Sequence, residues 1–180
     1  GRFTTAALVA GGIFAASVST AGAATYTLIE LAPLAGSTNS YASDINDSGV
    51  VVGSSSDGSS SQSYRATKWD GTTNSPIALN PVTAGTPSTA SGINNSGVVV
   101  GSTRVGSFND IATLWDGTTN SPIALNLLTG STGANPTAIN DSGVVVGNSD
   151  FVGGSSPRTA TKWDGTTNSP IALNSAFSTA

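Results

Sequence analysis

A twelve-residue block, Trp69-Asp70-Gly71-Thr72-Thr73-Asn74-Ser75-Pro76-Ile77-Ala78-Leu79-Asn80, recurs without change from Trp115 to Asn126 and from Trp163 to Asn174, at spacings of 46 and 48 residues. A second block precedes each copy: Ile45-Asn46-Asp47-Ser48-Gly49-Val50-Val51-Val52-Gly53, then Ile93 to Gly101, then Ile139 to Gly147. Within that block only Asp47 changes, to Asn95 in the middle copy. Three units therefore occupy about residues 41–80, 89–126 and 135–174. Each must fold in the same way and bury its surface against its neighbours, the logic of a repeat array.

Every unit divides into four short extended segments: one ending at Ile-Asn, then Val-Val-Val-Gly, then Ala-Thr-Lys-Trp or Ala-Thr-Leu-Trp, then Pro-Ile-Ala-Leu. The β-branched runs favour pleated strands, and Asn-(Asp/Asn)-Ser-Gly supplies the polar, glycine-ended connection of a tight hairpin. Trp-Asp-Gly-Thr-Thr-Asn-Ser-Pro reads as a second turn, with its Gly expected to supply positive φ. The fold class is all-β, an array of four-stranded antiparallel meanders. A period of 46–48 residues matches a propeller blade and predicts a partial β-propeller; a β-sandwich or a linear β-stack would use the same meanders. Val-Val-Val without polar alternation suits a strand covered on both faces.

Composition narrows the chemistry. The chain has no His, no Cys and no Met, which removes Ser/His/Asp triads, thiol nucleophiles, disulfides and the usual zinc ligand sets. Six scattered Lys and Arg against ten Asp and Glu, a net charge of −4, leave no basic footprint for nucleic acid.

Residues 1–24 read as a secretory signal peptide: Arg2, an apolar run from Ala6 to Val18, then Ala21-Gly22-Ala23-Ala24 as an Ala-x-Ala site. The run is too short and too interrupted by Gly11 and Gly12 for a membrane span, which takes about 20 residues. Gly1 stands where a reading frame would place Met, so the front reads as clipped. A processed pilin is a poor match, since Thr5 stands where its Glu belongs and no long helical period follows. Residues 25–180 are then the β-repeat domain, with no membrane span in the mature chain. Tyr26–Leu34 reads as one strand left over from a preceding unit.

Ala42, Ile45, Asn46, Gly49, Val51, Val52 and Gly53, matched by Ala90, Ile93, Asn94, Gly97, Val99, Val100 and Gly101, resemble the bacterial extracellular repeats of the HAF family. The third copy keeps Ile139, Asn140, Gly143, Val145, Val146 and Gly147, with Pro136 in place of Ala. Leu31, Leu34, Gly36, Ser40 and Ala42 resemble that family's run into a unit, so the likeness spans residues 26–174. Arg65-Ala66-Thr67, Ile111-Ala112-Thr113 and Thr159-Ala160-Thr161 depart from its His/Arg-Ala-Phe strand. The resemblance implies secretion, a β-repeat fold and often a C-terminal sorting signal, and no established enzyme activity.

Few side chains suggest a site. Asp47, Asn95 and Asp141 sit in repeated turns that offer at most one carboxylate each, far short of the six to eight oxygens Ca²⁺ takes, so Asx turns are expected instead. Asp70, Asp116 and Asp164, with Asn74, Asn120 and Asn168, read as turn chemistry, with a repeated sugar-binding loop as the functional alternative. Trp69, Trp115 and Trp163 are expected to pack between units. Asp44 and Asp47 are the one close carboxyl pair, and Glu30 is the one glutamate, a poor basis for glycosidic acid/base work. No catalytic, cofactor or metal residue is assigned, and no ligand-binding residue is identifiable. The expectation is a secreted or cell-surface repeat module with a structural role or a glycan or protein partner. The alternative is a fragment of a secreted carbohydrate-active enzyme whose catalytic residues lie outside this chain. Three whole units read as an incomplete ring whose absent blades lie beyond Ala180 or come from a second copy, and an open apolar face around Ile171 and Leu173 is expected to drive pairing or aggregation.

Overall fold

The computed structural model describes residues 26–60, 63–106, 109–151 and 158–173. Every regular element among them is a strand. The expected leader, residues 1–24, lies outside the described residues. The first unit contains β1 (Asn39–Ile45), β2 (Val51–Ser56), β3 (Arg65–Trp69) and β4 (Pro76–Ala78). The second contains β5 (Ser88–Ile93), β6 (Val99–Val105), β7 (Asn109–Trp115) and β8 (Pro122–Ala124). The third contains β9 (Ser131–Ile139), β10 (Val145–Phe151), β11 (Arg158–Trp163) and β12 (Pro170–Ala172).

Each unit is its own four-stranded sheet, with strands in sequence order and neighbours antiparallel, as the four-segment reading predicts. First strands begin at Asn39, Ser88 and Ser131, ahead of the repeat boundaries, because the non-repeating residues there still pair, Asn39 with Ser56 and Ser88 with Thr103.

The hairpin between the first two strands closes on Asn46. Its Oδ1 accepts the N–H groups of Ser48 (3.1 Å) and Val50 (3.0 Å), a local side-chain turn that the sequence repeats at Asn94 and Asn140. Gly49, Gly97 and Gly143 take φ of 76°, 81° and 79°, as the turn reading requires. The second turn differs from expectation. Asn74, Asn120 and Asn168, not the glycines, hold the positive φ, at 55–56°. Asn tolerates that region because its short amide can bond locally. Gly71 is required for space instead, since a Cβ there would run into the carbonyl of Ser48.

Burial follows the unit boundaries. Val99 joins Val52, Ala66, Leu79, Ala90, Ile93 and Trp115 between the first and second units. Its neighbour Val100 joins Ala112, Leu125, Ala134, Val145 and Trp163 between the second and third. Successive strand side chains point to opposite faces, so adjacent valines serve two different cores. Trp69, Trp115 and Trp163 are fully buried. Removing such a side chain costs about 3–5 kcal/mol.

Tyr26–Leu34 does not form the strand expected of it. Among the described residues no sheet precedes the first unit, so this stretch has no third strand to pair with. Its end still does a unit's work: Leu34 is buried, and the Ala32 carbonyl accepts the Trp69 indole N–H at 2.7 Å. Asn80 and Asn126 do the same for Trp115 (2.5 Å) and Trp163 (2.7 Å).

Gly97→Val should destabilise the chain by about 1–3 kcal/mol, because a β-branched residue is forced to positive φ. Thermal denaturation followed by circular dichroism checks this; an unchanged melting temperature would mean the turn relaxes to another type.

Candidate functional site

The repeated Trp-Asp turns are closed rather than open to a ligand. Asp70 Oδ1 accepts the N–H groups of Thr72 (3.0 Å) and Thr73 (2.6 Å) and the Thr72 hydroxyl (2.8 Å). Its Oδ2 accepts the Thr73 hydroxyl and the Ser75 N–H. Asp116 and Asp164 repeat the pattern. Donation from the following threonine hydroxyl, then from its backbone N–H, holds all three carboxyls well below the usual carboxylate range. They are ionised and largely saturated, which suits neither a general acid nor a sugar-binding acceptor.

The Asp47, Asn95 and Asp141 side chains do not make the Asx turns expected of them; the preceding asparagines do. They link the turns of successive units instead. The Asp47 N–H donates to Asn95 Oδ1 at 3.0 Å, and the Asn95 N–H to Asp141 Oδ1 at 2.8 Å. The Asn95 amide nitrogen donates both ways, to Asp47 Oδ2 (2.8 Å) and Asp141 Oδ2 (3.1 Å). Here lies the reason for the single substitution in the block. A third Asp would set three carboxylates in a row, whereas Asn supplies the two protons its neighbours need. Asp44 is likewise a link between units, accepting the Ile93 N–H at 2.9 Å. No cluster of three or more acidic groups that could hold a metal occurs among the described residues.

An open cleft of about 520 Å³ lies on the first unit, where Ala35–Ser37 and Ser63–Arg65 face the Asn80–Ser88 connection. Arg65 forms one wall, its guanidinium donating to the Ala35 carbonyl (2.7 Å) and to Ser37 Oγ (3.0 Å). Tyr64 forms another, tilted against Tyr41 with ring centroids 5.8 Å apart. Asp57, at the rim, accepts the Ser59 N–H and hydroxyl, and these bonds lower its pKa. The other units have different chemistry at this height: Arg104 pairs with Asp110 at 2.6 Å and Arg158 with Asp150 at 2.9 Å. The cleft was not foreseen from sequence. Its signal lies in the variable stretches between blocks, at Tyr64-Arg65 and Pro81–Pro87.

A family model described as "Protein of unknown function (DUF3466)" matches residues 38–132, the first two units and the start of β9. No curated protein and no solved structure matches the chain. None of these comparisons assigns it an enzymatic activity.

Because the turn carboxylates titrate lower when folded than unfolded, their contribution to stability is present above the unfolded value near about 4 and is lost as pH falls below it. Melting temperature should therefore stay level from pH 7 to about 5 and drop below about 4. Carbon-13 carboxyl shifts of Asp70, Asp116 and Asp164 should still report ionised groups at about pH 3; protonation near the ordinary value would remove the threonine-locked turn.

Proposed function

The chain belongs to the DUF3466 family of proteins of unknown function, and from that premise we propose that it is a secreted extracellular repeat module that binds a glycan or protein at the cell envelope or matrix. The cleft on the first unit carries this reading. A half-buried tyrosine ring, Tyr64, beside a guanidinium, backbone carbonyls and hydroxyls is the mixture that recognises a sugar ring: an apolar face to stack on and directional partners for its hydroxyls. The locked carboxylates of the repeated turns support binding over turnover, because none is placed to exchange a proton. The leader-like residues 1–24 and the likeness to the HAF repeats support export.

The units are arranged radially, as in a propeller. In support, the first strands approach one another, β1 beside β5 and β5 beside β9, while the hairpin turns at their ends are bonded in succession. Innermost strands converge in this way around an axis.

A glycan array with reducing-sugar detection tests the reading. Binding without release of sugar is expected, and Tyr64→Ala should weaken it roughly tenfold by removing the stacking ring. Release of reducing sugar would favour a carbohydrate-active enzyme fragment, and no binding to any glycan would leave protein partners.

A further inference from the structure

We propose that two copies of this chain join head to tail into a ring of six units, the third unit of each copy packing on the first unit of the other. The inference rests on the radial arrangement proposed above. It is drawn from the two faces that the inner joints leave open.

At each inner joint, one unit presents a Val, an Ala and a Leu. Val52, Ala66 and Leu79 do so in the first unit, Val100, Ala112 and Leu125 in the second, and all six are at most 2% exposed. Their counterparts in the third unit, Val146, Ala160 and Leu173, are uncovered, Val146 at 37% and Leu173 at 57%. The receiving side is open on the first unit along β1, while Trp69, the counterpart of Trp115, is already covered. Ile45 is 62% exposed where Ile93 is 5%, and Ala42 is exposed where Ala90 is buried.

The polar groups match in the same sense. At the inner joints Asn46 Nδ2 donates to the Asn94 carbonyl and Asn94 Nδ2 to the Asn140 carbonyl, each at 3.2 Å. Lys68 Nζ donates to Asn120 Oδ1 at 2.6 Å. Among the described residues Asn140 Nδ2, the Asp141 N–H and Lys162 Nζ have no such acceptor. The first unit offers the equivalent acceptors: the Asn46 carbonyl, Asp47 Oδ1 and Asn74 Oδ1. One end of the array is thus the donor half and the other the acceptor half of a single joint. A contact between unlike faces closes into a ring or runs on as a filament. Propellers close with about four to eight blades, and six is the one multiple of three in that range.

Ala32 already occupies, at Trp69, the place that Asn80 and Asn126 take at the inner joints. Tyr26–Leu31 of one copy therefore runs along the free edge of the other copy's β12. Leu28 and Ile29, both exposed, gain cover there. The new joint also sets Asp141 against Asp47 of the second copy, two carboxylates where the inner joints alternate acid and amide. The pairing is consequently weaker than an inner joint, and Asp47→Asn strengthens it by restoring the alternation.

Light scattering and sedimentation of the 180-residue chain across concentration test the proposal, with tryptophan emission and circular dichroism as controls that each variant folds. A species of twice 17.6 kDa is expected. Ile45→Lys and Leu173→Lys should each weaken pairing by about tenfold or more. A mixture of the two should pair again, because one intact joint remains between unlike variants. Asp47→Asn should tighten pairing severalfold. A monomer at every concentration, or pairing indifferent to both lysine variants, overturns the joint while leaving the three-unit array and its cleft standing. A mass that climbs without limit overturns the ring and the radial arrangement together, in favour of a linear stack.

Discussion

A four-stranded sheet of some forty residues has two faces to cover and no interior of its own, and the adjacent units supply that cover. Strand side chains alternate, so Val99 and Val100, consecutive in sequence, enter separate cores shared with the first and third units. The other repeated features serve this arrangement. Each buried Trp donates its indole N–H to the connection entering its unit, fixing where one sheet ends and the next begins. Satisfying that donor matters because an unpaired buried polar group costs about 1–3 kcal/mol.

The turns add a polar seam to the apolar joints. Had the three units been identical, Asp47 and its two counterparts would have placed like charges side by side along the line of hairpins. Coulombic repulsion there is screened by water, so the outcome rests more on hydrogen-bond inventory than on charge alone. A carboxylate only accepts, whereas an amide both donates and accepts. Asn95 therefore couples to both neighbours at once.

Much of the fold was legible in the sequence because the repeat does the averaging that an alignment would otherwise do. Four segments, three sheets and the buried Trp follow from residue types that recur at fixed offsets. The errors have local physical causes. The motif points to Gly71 as the positive-φ residue of its turn, but that conformation belongs to Asn74, and the glycine is there because the Ser48 carbonyl comes too close for a Cβ. Such proximity depends on tertiary placement, which a motif does not report. Tyr26–Leu34 carries a strand-like pattern yet forms none, since a strand needs an edge to pair with. Asp47 sits in a turn that its neighbour Asn46 makes, and a single turn viewed alone gives no hint of the next one lying against it.

The cleft escaped the sequence reading for a related reason. Repetition draws attention to what is constant, and constancy here marks scaffold: buried aliphatics, capped turns and glycines at close approaches. Residues that make the first unit unlike its neighbours, Tyr64, Arg65 and the Pro81–Pro87 connection, are spread over two chain segments and meet only when β3 and the entry to β5 are packed. In an array of this kind, loops carried on a rigid framework are the elements free to differ. At the height where the second and third units form Arg–Asp pairs, the first leaves its guanidinium bound to neutral oxygens. The difference between units, rather than their likeness, is therefore where the proposed recognition site lies.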